Sequence, residues 1–216
     1  AVVLEPTGRN TAPAAVVASI LANDNDPNAI LLLMPSDHVI NDINAFKTAI
    51  NKALPAARSG SFVTFGIKPT KAETGYGYIK KSNESPYQEG CFKVDAFIEK
   101  PDLNEAKKFI SDGDYYWNSG IFLFSAKKLI EVLSRLSPEI IEACGMAVSK
   151  AKLDLDFIRL DEESFAACPS ISIDYAVMEK SKNIAVVPSD LGWSDIGSWD
   201  AIWKLLEKDH NGNATF

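Results

Sequence analysis

A short, uninterrupted apolar segment limits the folds open to this chain. Residues 30–34 read ILLLM and are followed at once by Pro35. A run of this kind, without polar alternation, is typical of a strand buried on both faces of a parallel sheet. An alanine-rich helix over 14–22, with Thr11 as its predicted cap, precedes it, and a helix over 45–57 separates it from a second apolar strand over 62–67. This order of strand, helix and strand predicts an α/β domain with right-handed crossovers.

The middle of the chain departs from that pattern. Two strands of alternating character, at 76–80 and 92–99, are joined by a polar loop at 82–90, so we expect a hairpin and a mixed sheet. Further strands are predicted over 117–124 and 184–187, and further helices over 103–110, 126–136, 138–149, 173–181 and 196–207. The sequence therefore predicts one domain over 1–208, with a mixed, mostly parallel sheet flanked by helices. A polar linker over 209–216 would lead to another domain.

Composition excludes several classes of protein. Hydrophobic residues make up 46% of the chain and charged residues 24%, as in ordinary globular domains. The net charge of -7 argues against a nucleic-acid surface, because phosphate backbones are bound by clusters of Lys and Arg. No apolar run approaches the roughly 20 residues that span a bilayer, and no signal peptide is visible. Three scattered cysteines without a C-x-x-C pair indicate reduced thiols, so we expect a cytoplasmic protein with no membrane partner.

Two carboxylates lie where strands lead into helices. Asp37 follows the strand at 30–34, and Asp195 lies in the segment WSDIGSW at 193–199. Open parallel sheets bind ligands outside the carboxyl ends of their strands, where a carboxylate can hold Mg²⁺ against a phosphate. By position alone, a helix cap is the commoner role of each residue. As a pair facing one crevice, they would be candidate ligands of one metal ion.

Other polar residues are candidates for a sugar phosphate. Gly77 in a glycine-interrupted turn would allow a ligand close to the backbone. Glu99 suits sugar hydroxyls and Lys100 suits a phosphate, although adjacent strand residues need a bend to face one ligand. Asn118 can donate to and accept from hydroxyls, and Asp174 begins a predicted helix. Each has a structural alternative: a simple turn, an exposed ion pair or a helix terminus. Neither histidine is predicted to be a catalytic base.

Several motifs follow one another along the chain: LEPTGRNTAPA at 4–14, MPSDH at 34–38, TGYGYI at 74–79, FIEKP at 97–101, WNSGIF at 117–122, IDY at 173–175 and WSDIGSW at 193–199. Their order resembles that of bacterial mannose-1-phosphate guanylyltransferases, and the similarity covers essentially the whole chain.

The resemblance implies a Rossmann-like nucleotide-diphospho-sugar transferase fold. It also implies that GTP and mannose 1-phosphate are converted to GDP-mannose and pyrophosphate with Mg²⁺ as the cofactor. By motif, the metal ligands would be Asp37 and Asp195, and the residues around the sugar phosphate would be Gly77, Glu99, Lys100, Asn118 and Asp174. The catalytic group would be Asp37, Lys100 and Asp195, and the nucleotide would be bound by Glu5, Pro6, Gly8, Arg9, Asn10 and Thr11.

The family also has a first strand and a glycine-rich loop that would precede Ala1. Without them, we expect the chain as given to be nearly silent in catalysis. The alternatives are a sister transferase for another sugar or base, and a non-catalytic domain that binds a sugar nucleotide. A homodimer is left open as the assembly.

Overall fold

The structure, a computed structural model, describes residues 2–83 and 90–214. The strands are β1 (Val2–Leu4), β2 (Ile30–Leu33), β3 (Val39–Ile40), β4 (Phe62–Ile67), β5 (Tyr78–Lys81), β6 (Phe92–Ile98), β7 (Tyr115–Ser125), β8 (Lys152–Asp154), β9 (Phe157–Arg159), β10 (Ile184–Pro188) and β11 (Trp193–Ser194). The helices are α1 (Thr11–Asn25), α2 (Ile43–Arg58), α3 (Leu103–Asp112), α4 (Ala126–Leu136), α5 (Pro138–Ser149), α6 (Glu162–Ala166) and α7 (Trp199–Leu205). One π-helical turn covers Asp174–Met178.

The central sheet is mixed, as the sequence predicted, but its described pairings are mostly antiparallel and not mostly parallel. Its strand order is β2-β7-β4-β10-β6-β5, and β5 also pairs with β7. Strands β2, β4, β10 and β5 run in one direction, whereas β7 and β6 run in the other. The two antiparallel strands separate the others, so that β4 and β10 form the parallel pair of this sheet. The predicted crossover between 30–34 and 62–67 therefore spans the long strand β7.

Side chains alternate across this sheet and fill a core on each face. Phe62 of β4 and Phe122 and Phe124 of β7 pack with α1, α4 and α5. Val63 and Phe65 of β4 point the other way and pack with α2. Period-two alternation along each strand divides the apolar residues between the two layers of helices.

Two features of the N-terminal part differ from the prediction. Strand β2 is an edge strand of the described sheet, because it pairs with β7 on one side and with no described strand on the other. The side chain of its Leu32 is 36% exposed. The strand is therefore not buried on both faces. Helix α1 is capped by Asn10 in place of Thr11, through the side chain of Asn10 and the backbone N–H of Thr11.

Differences of the same kind occur near the C-terminus. The helix predicted over 173–181 is a single π-helical turn, and α7 begins only at Trp199. The hairpin of β8 and β9, which extends β1 into a small separate sheet, was not predicted. Residues 84–89 of the polar loop and 215–216 of the linker lie outside the described residues. Within the described part, no helix is both long and apolar enough to cross a bilayer.

Candidate active site

A β-bulge in β7 sets the position of Asn118. The register of β7 against β4 shifts between Thr64 and Gly66, leaving two extra residues on β7. Gly120, in the bulge, has a φ of 71°, which glycine adopts without a steric cost. The Asn118 backbone N–H donates to the Gly77 carbonyl at 2.8 Å. Bulges of this type redirect side chains next to binding sites, and here the bulge joins Asn118 to the loop before β5.

The hairpin of β5 and β6 brings Gly77 and Glu99 together. Tyr78 and Ile98 are the last registered pair of this hairpin, so Gly77 and Glu99 lie just beyond it. A Cβ atom at Gly77 would overlap with Glu99 Oε2 and would lie 3.3 Å from Asn118 Cβ, so glycine permits this close approach. The sequence required a bend between Glu99 and Lys100, and it is present. Lys100 has a φ of 49°, and its Nζ lies 3.8 Å from Glu99 Oε1.

These residues line one cleft of about 200 Å³ at the carboxyl end of β11 and the start of β5. Gly77, Glu99, Lys100, Asn118, Asp174 and Asp195 all contribute to its walls. The structure thus brings together the predicted sugar-phosphate residues and one of the two predicted metal ligands. His38, Tyr76 and Trp193 also line the walls among the described residues.

Most of the hydrogen-bonding capacity of Asn118 is used inside the protein. Its Oδ1 accepts from Thr64 Oγ1 at 2.9 Å and from the Gly120 backbone N–H at 3.2 Å. Its Nδ2 donates to Asp174 Oδ1 at 2.9 Å. One amide N–H is therefore left for a ligand, and the main structural effect of Asn118 is to hold the Asp174 carboxylate.

Burial dominates the electrostatics of Glu99. Burial, followed by the nearby Asp174 carboxylate, raises the pKa of Glu99 to about 7, and the Lys100 ammonium offsets only part of this effect. Burial also raises the pKa of Asp174, although the hydrogen bond from Asn118 acts against it. Glu99 Oε2 is buried without a hydrogen-bond partner. An uncompensated buried carboxyl destabilises the fold and is typical of a site that binds a ligand.

This pKa predicts a specific pH dependence of stability. The Glu99 carboxyl titrates at about 7 in the folded chain and near 4.5 when unfolded, so the folded state binds more protons in that window. Stability should fall as pH rises through it. The free energy of unfolding of Glu99→Gln should therefore decrease by about 1–3 kcal/mol less than that of the wild type as pH rises. Urea unfolding at several pH values measures this difference. Glu142→Gln, at an exposed position of α5, is the control; parallel pH profiles for wild type and Glu99→Gln would contradict the assignment.

A two-stranded ribbon holds the segments of Asp37 and Asp195 side by side. β3 pairs with β11 antiparallel, Ser194 opposite Val39, so that Asp195 lies next to the 37–38 segment. Neither carboxylate caps a helix, because α2 is capped by Asp42 and α7 by Ser198. The capping alternative is therefore wrong for both. Asp37 is exposed and is not among the residues of the cleft wall, so the metal pair stays a prediction.

Tyr76 fixes the Asp195 carboxylate, a contact that the sequence did not predict. The Tyr76 hydroxyl donates to Asp195 Oδ1 at 2.7 Å, and the Gly197 backbone N–H donates to the same oxygen at 3.2 Å. Burial and the Asp195 carboxylate raise the pKa of the Tyr76 phenol, which keeps its proton. Edge-to-face packing against Trp117 and Trp193 holds the ring. The position of Tyr76 between Gly75 and Gly77 was the signal that could have found it.

His38 is also oriented by an aromatic residue. The Trp193 indole N–H donates to His38 Nδ1 at 3.2 Å, and the two rings meet edge to face. In neutral imidazole this places the proton on Nε2. His38 therefore offers an N–H donor to the cleft, a role that differs from that of a catalytic base.

The predicted nucleotide segment lies beside the cleft and contributes none of the described residues of its wall. Asn10 has φ 68° and ψ -170°, a region that residues other than glycine rarely occupy and that is typical of functional sites. Thr11 Oγ1 accepts from the backbone N–H of Ile173, the residue before Asp174. The Arg9 guanidinium binds the carbonyl of Ala166. Glu5, Pro6 and Gly8 are exposed, so nucleotide contacts of this segment stay predictions.

Comparison with known proteins gives consistent relatives. Xanthan biosynthesis protein XanB of Xanthomonas campestris pv. campestris (strain B100) is 51% identical over 214 residues, which are 99% of this chain and 45% of XanB. Mannose-1-phosphate guanylyltransferase of Salmonella montevideo is 49% identical over 218 residues, 99% of this chain and 46% of that protein. The chain thus spans about half the length of the curated relatives it matches.

Solved structures agree with the sequence comparison. A structure described as mannose-1-phosphate geranyltransferase from Thermus thermophilus has a TM-score of 0.80 at 36% identity and covers 95% of this chain and 58% of its own. Mannose-6-phosphate isomerase from Helicobacter pylori gives 0.80 at 35% identity, over 89% of this chain and 73% of its own. The family model of nucleotidyl transferases matches residues 1–212. The chain therefore belongs to the nucleotidyl transferase family.

Proposed function

We propose that residues 1–208 form the domain that transfers a guanylyl group from GTP to mannose 1-phosphate, giving GDP-mannose and pyrophosphate. The observation that carries this proposal is the composition of the cleft. It combines the buried carboxyls of Glu99 and Asp174 with the ammonium of Lys100 and the carboxylate of Asp195. Carboxyls suit the hydroxyls of a sugar, and an ammonium suits its phosphate. The similarity to mannose-1-phosphate guanylyltransferases supports mannose as the sugar.

The sugar would lie between Gly77 and Asp174. Glu99 Oε1 and the Asp174 carboxylate would accept from its hydroxyls, while Gly77, which has no side chain, lets the Glu99 carboxyl reach this position. Asn118 would add its remaining amide N–H and hold Asp174 in place. Lys100 would bind the phosphate at the mouth of the cleft, where its side chain is 59% exposed.

Asp195 and Asp37 fit a magnesium ion. Mg²⁺ usually keeps several waters and takes one or two protein carboxylates together with substrate phosphates, so a cluster of three acidic residues is not required. The described residues contain no such cluster of His, Cys, Asp and Glu. Asp195 Oδ1 is held by Tyr76, which leaves Oδ2 for the cation. The ion, when bound, would neutralise charge on the reacting phosphates.

The nucleotide would be bound by residues 5–11. Glu5, Pro6 and Gly8 would line the base pocket, and a carboxylate such as Glu5 can accept from the N1–H and N2–H₂ edge of guanine. Partial burial of its carboxyl raises the pKa of Glu5, although the residue as a whole is exposed. Arg9, Asn10 and Thr11 would hold the segment against Ala166 and Ile173, next to the sugar.

The chemistry would be in-line attack of a mannose 1-phosphate oxygen on the α-phosphorus of GTP, without a covalent protein intermediate. The task of the protein is then to position two phosphates and stabilise their charge. Lys100 would orient the attacking phosphate, and Glu99 and Asp174 would fix the sugar that carries it. The three free cysteines are compatible with the cytoplasmic location that we propose for this reaction.

Pyrophosphate release by the intact enzyme tests the proposal. GTP with mannose 1-phosphate should turn over at least about 100-fold faster than ATP or UTP with the same sugar, since a site built for hydrogen bonds rejects ligands that cannot make them. Glucose 1-phosphate serves as the sugar comparison. Preference for another nucleotide or sugar would favour a sister transferase. Binding of GDP-mannose without turnover would favour a non-catalytic domain.

Asn118→Ala should separate the two halves of the site. It removes a sugar donor and releases the Asp174 carboxylate, so the KM for mannose 1-phosphate should rise by about 10-fold or more, with a smaller change in the KM for GTP. Initial rates with each substrate varied in turn give both constants. A change confined to GTP would place Asn118 on the nucleotide side.

A further inference from the structure

Two of the three cysteines lie against each other in the core. Cys144, on α5, and Cys168, two residues after α6, are both buried, and their Sγ atoms are 3.9 Å apart. Cys91 packs in the other core cluster, with α2. All three are free thiols. Only a small displacement therefore separates the sulfurs of Cys144 and Cys168 from bonding distance, which is about 2.05 Å.

The pair lies under the end of the segment proposed to bind the nucleotide and under the first turn of α1, which follows it. Cys144 Sγ contacts the carbonyl of Pro13, in the first turn of α1, at 3.7 Å. The Arg9 guanidinium binds the carbonyl of Ala166, two residues before Cys168. Cys144 thus contacts the first turn of α1, and Cys168 lies two residues from the carbonyl that Arg9 binds.

The surroundings of the pair make the two sulfurs unequal. The S–H of Cys144, followed by the positive charge of Arg9, lowers the pKa of Cys168 although burial acts against it. The same hydrogen bond and burial raise the pKa of Cys144. Of the two sulfurs, Cys168 therefore loses its proton more readily, and Cys144 is the thiol beside it.

We propose that Cys144 and Cys168 form a site of reversible oxidation, in which a disulfide between them alters the nucleotide segment. With hydrogen peroxide as oxidant, the Cys168 thiolate attacks one peroxide oxygen, and hydroxide leaves and takes up a proton as water. Cys144 sulfur then attacks the sulfenic acid of Cys168, its proton is lost, and a second water departs. Two thiols and one peroxide thus give one disulfide and two waters.

Closure of the disulfide has a mechanical consequence. The sulfurs must approach by nearly 2 Å, which draws α5 and the turn after α6 together. The Ala166 carbonyl moves with that turn and pulls on Arg9, while Cys144, which has lost its proton, no longer donates to the Pro13 carbonyl in the first turn of α1. We expect the nucleotide segment to shift and the cleft around Glu99 to stay in place. This consequence rests on the proposed function, whereas formation of the disulfide does not.

Mass spectrometry of the folded intact protein tests the chemistry. After brief treatment with hydrogen peroxide, the protein should be lighter by about 2 Da. After alkylation in denaturant, its digest should contain one disulfide-linked peptide pair with residues 144 and 168. Cys91→Ala should behave identically, and Cys144→Ala or Cys168→Ala should abolish the link. If either variant fails to fold, the peptide map of the wild type decides. Three alkylated thiols, or a link to Cys91, would overturn the site.

Kinetics test the consequence. In the oxidised wild type the KM for GTP should rise by about 5-fold or more, and that for mannose 1-phosphate should change by less than about 2-fold. Dithiothreitol should restore both, and peroxide-treated Cys144→Ala should show neither change. An unchanged KM for GTP in the fully disulfide-linked protein would overturn the coupling. Lack of turnover in the reduced wild type would instead reject the proposed function. In that case the mass measurements alone would show whether the disulfide forms.

Discussion

Asp195→Asn is expected to lower the rate of pyrophosphate release by at least about 100-fold while the fold is kept. The substitution removes the charge that would face the cation, and electrostatic groups of this kind contribute effects of that size. The fold should survive because an asparagine Oδ1 can still accept from the Tyr76 hydroxyl and the Gly197 N–H. Turnover measured against Mg²⁺ concentration, together with thermal unfolding, gives both results.

The matched variants are Asp37→Asn and Asp190→Asn. Asp37 is exposed, so its substitution should lower turnover by a similar factor with no change in stability. Asp190 is an exposed acid in the loop before β11 and should tolerate the same change. Near-normal rates in both Asp195→Asn and Asp37→Asn would reject the metal assignment.

Gly77→Ala is expected to reduce kcat/KM for mannose 1-phosphate by about 100-fold. The new Cβ would overlap with Glu99 Oε2 and would lie 3.3 Å from Asn118 Cβ. Glu99 is half-buried, and its carboxyl cannot avoid the new methyl group without leaving its place in the cleft, so the proposed sugar site must deform. Displacements of about 1 Å are enough for rate losses of that size.

Gly75→Ala is the control for that variant, because it adds a methyl group to the same loop. Its Cβ would meet only Glu73 Oε1, at 3.6 Å, which is ordinary contact. Its effect should therefore be small. Equal losses in both variants would show that the loop responds to any added side chain and that Glu99 is not the cause.

The sequence predicted most of the fold where local signals are strong. Asp102 caps α3 through a complete capping box, and α4 and α5 have the predicted bounds. A bend between Glu99 and Lys100 was predicted, because both side chains can face one ligand only if the strand bends there, and the bend is present. Local propensity and capping specify such features, because the residues that decide them are neighbours in the chain.

Local sequence signals did not predict which distant segments pair with each other. Nothing local shows that β7 lies between β2 and β4, because its partners are about 60 and 90 residues away. The occupied amide of Asn118 depends on Thr64 and Asp174, which only the folded chain brings within reach. The contact of Tyr76 with Asp195 crosses 119 residues. Motif order predicted the sugar-phosphate residues and Asp195 of the cleft but also Asp37, which is not in its wall, and the structure was needed to show which residues are already paired.

The left-handed backbone of Lys100 limits how this protein can change. A lysine with φ near 49° is destabilising by roughly 1 kcal/mol relative to a residue that adopts this conformation freely. Glycine or asparagine would relieve that strain and remove the ammonium, whereas arginine would keep a charge and the strain. With the phosphate-binding role that we propose for Lys100, selection for heat resistance and selection for catalysis would favour opposite residues at position 100. A thermostability screen without an activity requirement should accumulate substitutions there.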